Sequence, residues 1–238
     1  MANLVTQQNE HMTSSIPKST LSFLESLREN NSREWMTEHK KEYQASEKAL
    51  KQVYASIVNG LNETDEIEKL KVFRINRDVR FSNDKTPYNV HRSASFSRVG
   101  AHRRGGYYLR IEPGNKSAIA GGFFNPEPAD LKRIRTEFHL DASEIREILS
   151  DTAFAKAFGG SFETRNAVKT APRGFDVNDP NIDLIRLKNF VVRKNFTDKE
   201  ITSPDFTKIA LNHFRLLRPF FDYMSDVLTT DLNGESLL

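Results

Sequence analysis

The sequence predicts an α+β fold, a mainly antiparallel sheet flanked by long helices at its N-terminal and C-terminal ends. Three observations carry that expectation. Apolar residues recur at helical spacing near both ends of the chain, and they alternate with period two through the middle. The strand-like runs are also joined by short turns instead of intervening helices, which argues against a parallel sheet.

The elements follow in order. Residues 1–18 are polar and aperiodic, and are expected to be a disordered tail. A helix is expected to start at Ser19 or Thr20 with Leu21, Leu24 and Leu27 on one stripe, ending at Asn30-Asn31. Asn31 with Glu34 three residues on reads as the start of a second helix. Its apolar positions, Trp35, His39, Tyr43, Leu50, Val53, Tyr54, Ile57 and Leu61, describe one long amphipathic helix. The period then changes. Val72–Phe81, Ser93–Val99, Tyr107–Glu112, Ser117–Phe124 and Asn189–Phe196 read as strands, with Pro113-Gly114-Asn115-Lys116 as a hairpin turn. Helices are expected over Glu127–Phe138, Asp141–Ser150, Thr152–Phe158 and Ile182–Leu187. A last long helix would be capped by Ser203 and run to Thr229 with a kink at Pro219. Residues 19–230 thus form one domain, followed by a flexible C-terminus over 231–238.

Composition narrows the function classes. A chain of 238 residues can bury a full core without disulfides or a structural metal. It has no cysteine, which excludes a disulfide scaffold, a thiolate metal site and a cysteine nucleophile. Mean hydropathy is −0.59 and no run of eighteen apolar residues occurs, so no membrane span is expected. The opening MANLVTQQNEHMTSSIP lacks a basic start and an apolar stretch, so a cytoplasmic protein without a secretory leader is expected. HExxH, GxSxG and phosphate-loop signatures do not occur, and the expectation is no metal and no cofactor.

Charge is unevenly placed. The formal net charge is +3, yet Lys71–Arg104 holds nine Lys/Arg against only Asp78 and Asp84, a local excess of seven that leaves the rest four negative. Within it lies RINRDVRFSNDKTPYNVH, Arg74 to His91. Read with period two, Arg74, Asn76, Asp78 and Arg80 share a polar face on which Asp78 can orient either neighbouring guanidinium. Arg77 falls instead among Phe73, Ile75, Val79 and Phe81, where an unpaired charge is costly and calls for a carboxylate, carbonyls or a bound anion. Arg guanidinium groups take phosphate or carboxylate bidentately, and lysine adds a mobile charge. The ligand-binding candidates are therefore Arg74, Arg77, Arg80, Asp84 and Lys85. Asp78, Tyr88 and His91 are the candidate catalytic groups, Tyr88 and His91 as proton donors or acceptors. Elsewhere, Arg110 and Glu112 read as a cross-strand ion pair. Gly121-Gly122 marks a close approach or a bulge, Lys169, Arg173 and Lys188 read as solvated loop charges, and His39 as a packed histidine at the core edge.

The motif resembles RxxRDxRFxxDKxPY, the hallmark of a bacterial and fungal domain-of-unknown-function family, number 2461 in that series. LSFLESLRENNSREWMTEHKKEY, GGYYLRIEPGNKSAIAGGFFNPEPADLKRIR and LKNFVVRKNFTDKEITSPDF extend the resemblance over about residues 19 to 229. It matches at Arg74, Arg77, Asp78, Arg80, Phe81, Asp84, Lys85, Pro87 and Tyr88, and Met36 stands where the family pattern implies an aromatic. It implies no activity.

Two readings of function follow, with a non-catalytic interaction scaffold as a third. The first is a site for an anionic small-molecule ligand, phosphate- or carboxylate-bearing and open to catalysis, centred on Arg74–His91. It expects Arg77 and Asp78 in one enclosed pocket with Arg98, Arg103 and Arg104 outside. The second is a nucleic-acid-binding module, in which the basic segment lies along one open surface while Tyr88, Phe96, Tyr107 or Tyr108 stack on bases.

Overall fold

The computed structural model describes residues 15–238. Most of the expected tail, residues 1–14, lies outside them; of the remainder, Ile16 is buried in the core. Five strands, β1 (Ile67–Val72), β2 (Arg92–Arg98), β3 (Gly106–Ile111), β4 (Ser117–Phe123) and β5 (Phe190–Phe196), form one antiparallel sheet in sequence order. The helices precede it, follow it and fill the long connection between β4 and β5. The α+β class is as expected.

Alternation gives the sheet two unlike faces. On one, Phe96, Tyr107, Leu109, Ile119, Phe190 and Phe196 are buried. They meet helical aromatics edge-on, as in Tyr54–Phe96, Tyr107–Phe214, Tyr107–Phe221 and Phe196–Phe206. The opposite face carries Ser93, Ser95, Tyr108 and Arg110, with Ala118 and Ala120 beside them. The predicted hairpin forms at Pro113–Lys116: Gly114 and Asn115 take positive φ (83° and 60°), and their amides donate to Asp198.

At the N-terminal end, α1 (Lys18–Glu29) buries Leu21, Leu24 and Leu27 as the stripe requires. The next cap is Ser32, whose hydroxyl accepts from the Trp35 amide in α2 (Arg33–Glu38). The expected single helix is interrupted at one residue, His39, whose ring stacks on Trp35 with centroids 3.9 Å apart before α3 (Lys40–Leu61) resumes. Within the long connection, α4 (Pro128–Leu140), α5 (Ser143–Ser150), α6 (Thr152–Phe158) and α7 (Ile182–Ile185) fall where helices are expected. Beyond β5, a capping box of Thr197 and Glu200 starts α8 (Asp198–Ile201), one turn ahead of the Ser203 start expected from sequence. The last helix divides at Leu217 into α9 (Phe206–Leu216) and α10 (Arg218–Thr229), because Pro219 has no N–H to continue the ladder. Thr230 and Ser236 are paired by an isolated bridge in the C-terminal segment.

One further sequence reading is decided and another is overturned. Gly121 and Gly122 lie in uninterrupted register with both neighbouring strands, so they are not a bulge. A side chain at either would overlap Leu217 or the Phe190 carbonyl, which makes close approach the reason for glycine. Val72–Phe81 is not a strand. The real edge strand is Ile67–Val72, and from Phe73 onward the chain loops, its backbone ties including the Asn76–Tyr88 bridge, Arg77 N–H to Pro87 O (2.8 Å) and Asn89 N–H to Ile75 O (2.7 Å). Pro87 cannot donate to a ladder, and charged side chains occupy the backbone carbonyls that a partner strand would use.

Candidate functional site

The loop from Phe73 to His91 owes its shape to its own charged side chains. Arg77 Nη1 donates to Asp84 Oδ2 (2.5 Å), to Thr86 O (3.2 Å) and to Thr86 Oγ1. Asp84 in turn accepts from the Thr86 amide (2.9 Å) and hydroxyl (2.8 Å), and these bonds with Arg77 hold its carboxyl down at about 2. Arg80 grips Asp78 with two parallel bonds, Nε to Oδ1 (3.0 Å) and Nη2 to Oδ2 (2.7 Å), which lower the Asp78 carboxyl. Lys85 Nζ donates to Val79 O (3.0 Å). Of the two guanidinium groups that flank Asp78, it is Arg80 that Asp78 orients.

Both ends of the loop are clamped to the body. Asn31, expected as a helix cap, instead brackets Tyr88: its Nδ2 donates to Tyr88 O and its Oδ1 accepts from Tyr88 N–H, both at 3.0 Å. At the other end Arg92, buried at the start of β2, donates through Nη1 to Phe73 O (2.6 Å) and through Nε and Nη2 to Glu47 (2.5 and 2.9 Å).

Between loop and sheet lies a cleft of about 430 Å³, open to solvent and not the enclosed pocket expected. Ser93 and Tyr108 come from the polar sheet face, Asn89 and His91 from the end of the loop, and Phe73, Arg74, Asn76, Arg77 and Asp78 from its beginning. Four of the eight sequence candidates therefore share it: Arg74, Arg77, Asp78 and His91. Arg80, Asp84 and Lys85 brace the loop from outside the lining, and the Tyr88 ring packs against the core. Arg77 is not embedded among apolar side chains as the alternation suggests. Its side chain is 24% exposed and paired, and Phe81 stands 97% exposed, because the segment turns instead of pleating. Phe73, Asn89, Ser93 and Tyr108 fall outside the residues that the motif singles out as candidates. Period two from His91 to Ser93 puts both on one strand face, and that signal reaches Ser93.

The cleft's charges are few. Among the described residues the Arg74 guanidinium has no hydrogen-bond or ion-pair partner, and every side-chain bond of Arg77 leaves from Nη1. Burial, reinforced by the charges of Arg110 and Arg92 against that of Glu112, pushes His91 down to about 4, so its imidazole is neutral at physiological pH. The unfolded chain then takes up this proton near pH 6.5 and the folded one only near 4, so stability falls as pH drops through that window. With discount for partial exposure the loss is about 1–2 kcal/mol. Urea unfolding at pH 7 and pH 4.5 should show it, and His91→Gln should reduce it; an equal loss in the variant would assign it to other groups.

The rest of the basic segment is answered by acids outside it. Arg98 meets Asp65 and Asp222, Arg103 meets Glu66 and Arg104 meets Asp130. All three lie outside the cleft. Phe96 and Tyr107, base-stacking candidates by sequence, are core side chains at 0% and 2% exposure. Arg110 pairs with Glu112 along its own chain segment, not across strands. Among the described residues no cluster of three His, Asp or Glu could hold a metal, and no helix is long and apolar enough to cross a membrane.

A family model described as conserved hypothetical protein (DUF2461) matches residues 19–223, most of the chain. The chain belongs to this family. No curated protein and no solved structure shows significant similarity to it. The DUF2461 match takes in β1 to β5 and the entire loop, so the cleft lies wholly within the family domain.

Proposed function

We propose that this DUF2461 protein binds a small anionic molecule, bearing phosphate or carboxylate, in the cleft between the Phe73–His91 loop and the sheet. The observation that carries the reading is Arg74, a guanidinium with no hydrogen-bond acceptor among the described residues, at a cleft otherwise lined by uncharged groups and self-paired ions. A neighbouring cation that is already neutralised adds little to anion binding, whereas an exposed guanidinium that makes no direct bond is free to add a charge-assisted, bidentate contact. Arg74 and the unused edge of Arg77 hold the anion, and Asp78, Arg80, Asp84 and Lys85 fix the loop that presents them. His91, neutral and facing the same space, is the group able to exchange a proton with the ligand.

Nucleic acid has less support as the partner. Among the described residues six of the nine cations in Lys71–Arg104 are ion-paired, leaving Lys71, Arg74 and Lys85, too few for a backbone-tracking surface.

Calorimetric titration with inorganic phosphate and with acetate at low ionic strength tests the reading. Saturable binding by at least one is expected, weakened about tenfold or more in Arg74→Gln, the usual weight of a charge-assisted contact. No binding, or equal affinity in Arg74→Gln, would overturn it. Retention of an oligonucleotide on a filter, abolished by salt, would favour the nucleic-acid reading instead.

A further inference from the structure

Two properties of the cleft narrow its ligand further than charge sign alone. The first is the amount of charge it can neutralise. Of its lining groups, Arg77 is compensated by Asp84 and Asp78 by Arg80, both through direct bonds, and His91 is neutral. Among the described residues only Arg74 makes no direct bond, the Asp78 carboxylate being the acid near enough to feel its charge. A second negative charge on the ligand would sit near the Asp78 carboxylate with no second unpaired cation among the lining groups, which disfavours the ionised form. The cleft is matched to one charge.

The second is its aromatic wall. Phe73 is 37% exposed, and its ring meets the Tyr108 ring edge-on, centroids 6.1 Å apart at 67°. Lys71 Nζ lies 4.9 Å from the Phe73 centroid, so one side of that ring is engaged by a cation. The position is not incidental, since Arg92 fixes the Phe73 carbonyl and the Phe73 amide donates to Ser93 O at 3.0 Å. The protein fixes the backbone that carries this benzyl ring at the edge of a polar cleft without burying the ring, a placement that a purely polar ligand does not need. Two rings at that angle form a corner in which a third planar ring can stack on one and meet the edge of the other. A volume of about 430 Å³ is at the low end for ligand clefts and suits a molecule of one or two rings.

We infer that the cleft takes an aromatic carboxylate, its single negative charge on Arg74 and its ring in the Phe73–Tyr108 corner. This rests on the anion-binding reading above and adds to it a charge number and a body.

Titration of the full-length protein with sodium acetate, sodium benzoate, phenyl phosphate and benzyl alcohol at pH 7.5 tests it. Benzoate should bind about tenfold more tightly than acetate, the scale of one aromatic contact plus its buried area. It should also bind more tightly than dianionic phenyl phosphate, and benzyl alcohol should bind weakest. Phe73→Ala removes an exposed ring and should bring benzoate down to the acetate value measured in the same variant; thermal melts confirm that the variant folds. Benzoate binding no better than acetate, unchanged benzoate affinity in Phe73→Ala, or tighter binding of phenyl phosphate overturns the inference while acetate or phosphate still binds through Arg74. Failure of every anion to bind overturns the underlying reading as well.

Discussion

Replacing Asp65 by Asn is expected to cost the fold about 3–5 kcal/mol, the usual penalty for removing one partner of a buried ion pair. Asp65 follows α3 with its side chain 1% exposed, and four groups converge on it. Tyr107 Oη donates to Oδ2 (2.7 Å) and the Glu66 amide donates to Oδ1 (2.9 Å). Arg98 Nε lies 2.8 Å from Oδ2, off the hydrogen-bonding angle and so held by charge, and Arg218 Nη1 lies 3.3 Å from Oδ1. The carboxylate also raises the Tyr107 phenol, whose burial is the larger cause. Arg98 is itself 1% exposed, so without Asp65 its charge is shared only with Asp222, which is half in water. For a chain of this size the loss corresponds to a melting temperature lower by about 10 °C. Asp222→Asn, which removes the exposed partner and leaves Asp65 in place, should cost about 1 kcal/mol. Thermal and urea unfolding of the two variants decides it. Equal costs would mean that the network is anchored at the surface and not at Asp65.

That network explains part of what the sequence conceals. Arg98 counts toward the basic segment, and no spacing rule reveals that its counter-charges come from Asp65 and Asp222, distant in sequence. Pairing is a property of the fold, and the local excess of seven shrinks once Glu47, Asp65, Glu66, Asp130 and Asp222 come alongside. Elements defined by local period were legible: the stripe of α1, the hairpin at Pro113–Lys116, and β2 to β5 within a residue or so. The edge strand was not. In β1 the pattern is mostly exposed, with Lys69 and Lys71 pointing to water, so it carries no alternation to read. Its neighbour Phe73–Phe81 alternates without being a strand, because Arg77, Arg80 and Lys85 bond locally and Pro87 blocks pairing. The same competition made the site half legible. Of the Arg74–His91 candidates, Arg74, Arg77, Asp78 and His91 line one cleft, whereas the aromatic corner depends on register, which brings Tyr108 opposite Ser95 and within reach of Phe73.

Glu47 supplies the sharpest test of how the body of the protein positions the cleft. Glu47→Ala should cost about 3 kcal/mol, since it strands the guanidinium of Arg92, whose side chain is 4% exposed. Glu47 lies on α3 and never touches the cleft; its connection runs through Arg92, which holds Glu47 with two donors and the Phe73 carbonyl with the third. The double variant Glu47→Leu, Arg92→Met removes both charges together, and a well-packed apolar pair is often no worse for stability than the ion pair it replaces. Most of the lost stability should therefore return. The anchor on Phe73 should not return, because methionine donates nothing to its carbonyl. Benzoate affinity in the double variant should stay about tenfold below wild type while the unfolding midpoint recovers. If affinity recovers with stability, Arg92 is scaffolding and the loop positions Phe73 unaided. If stability stays low, the pair is integral to the core. Recovery of stability without recovery of binding is the outcome that links α3, through one buried arginine, to the geometry of the site.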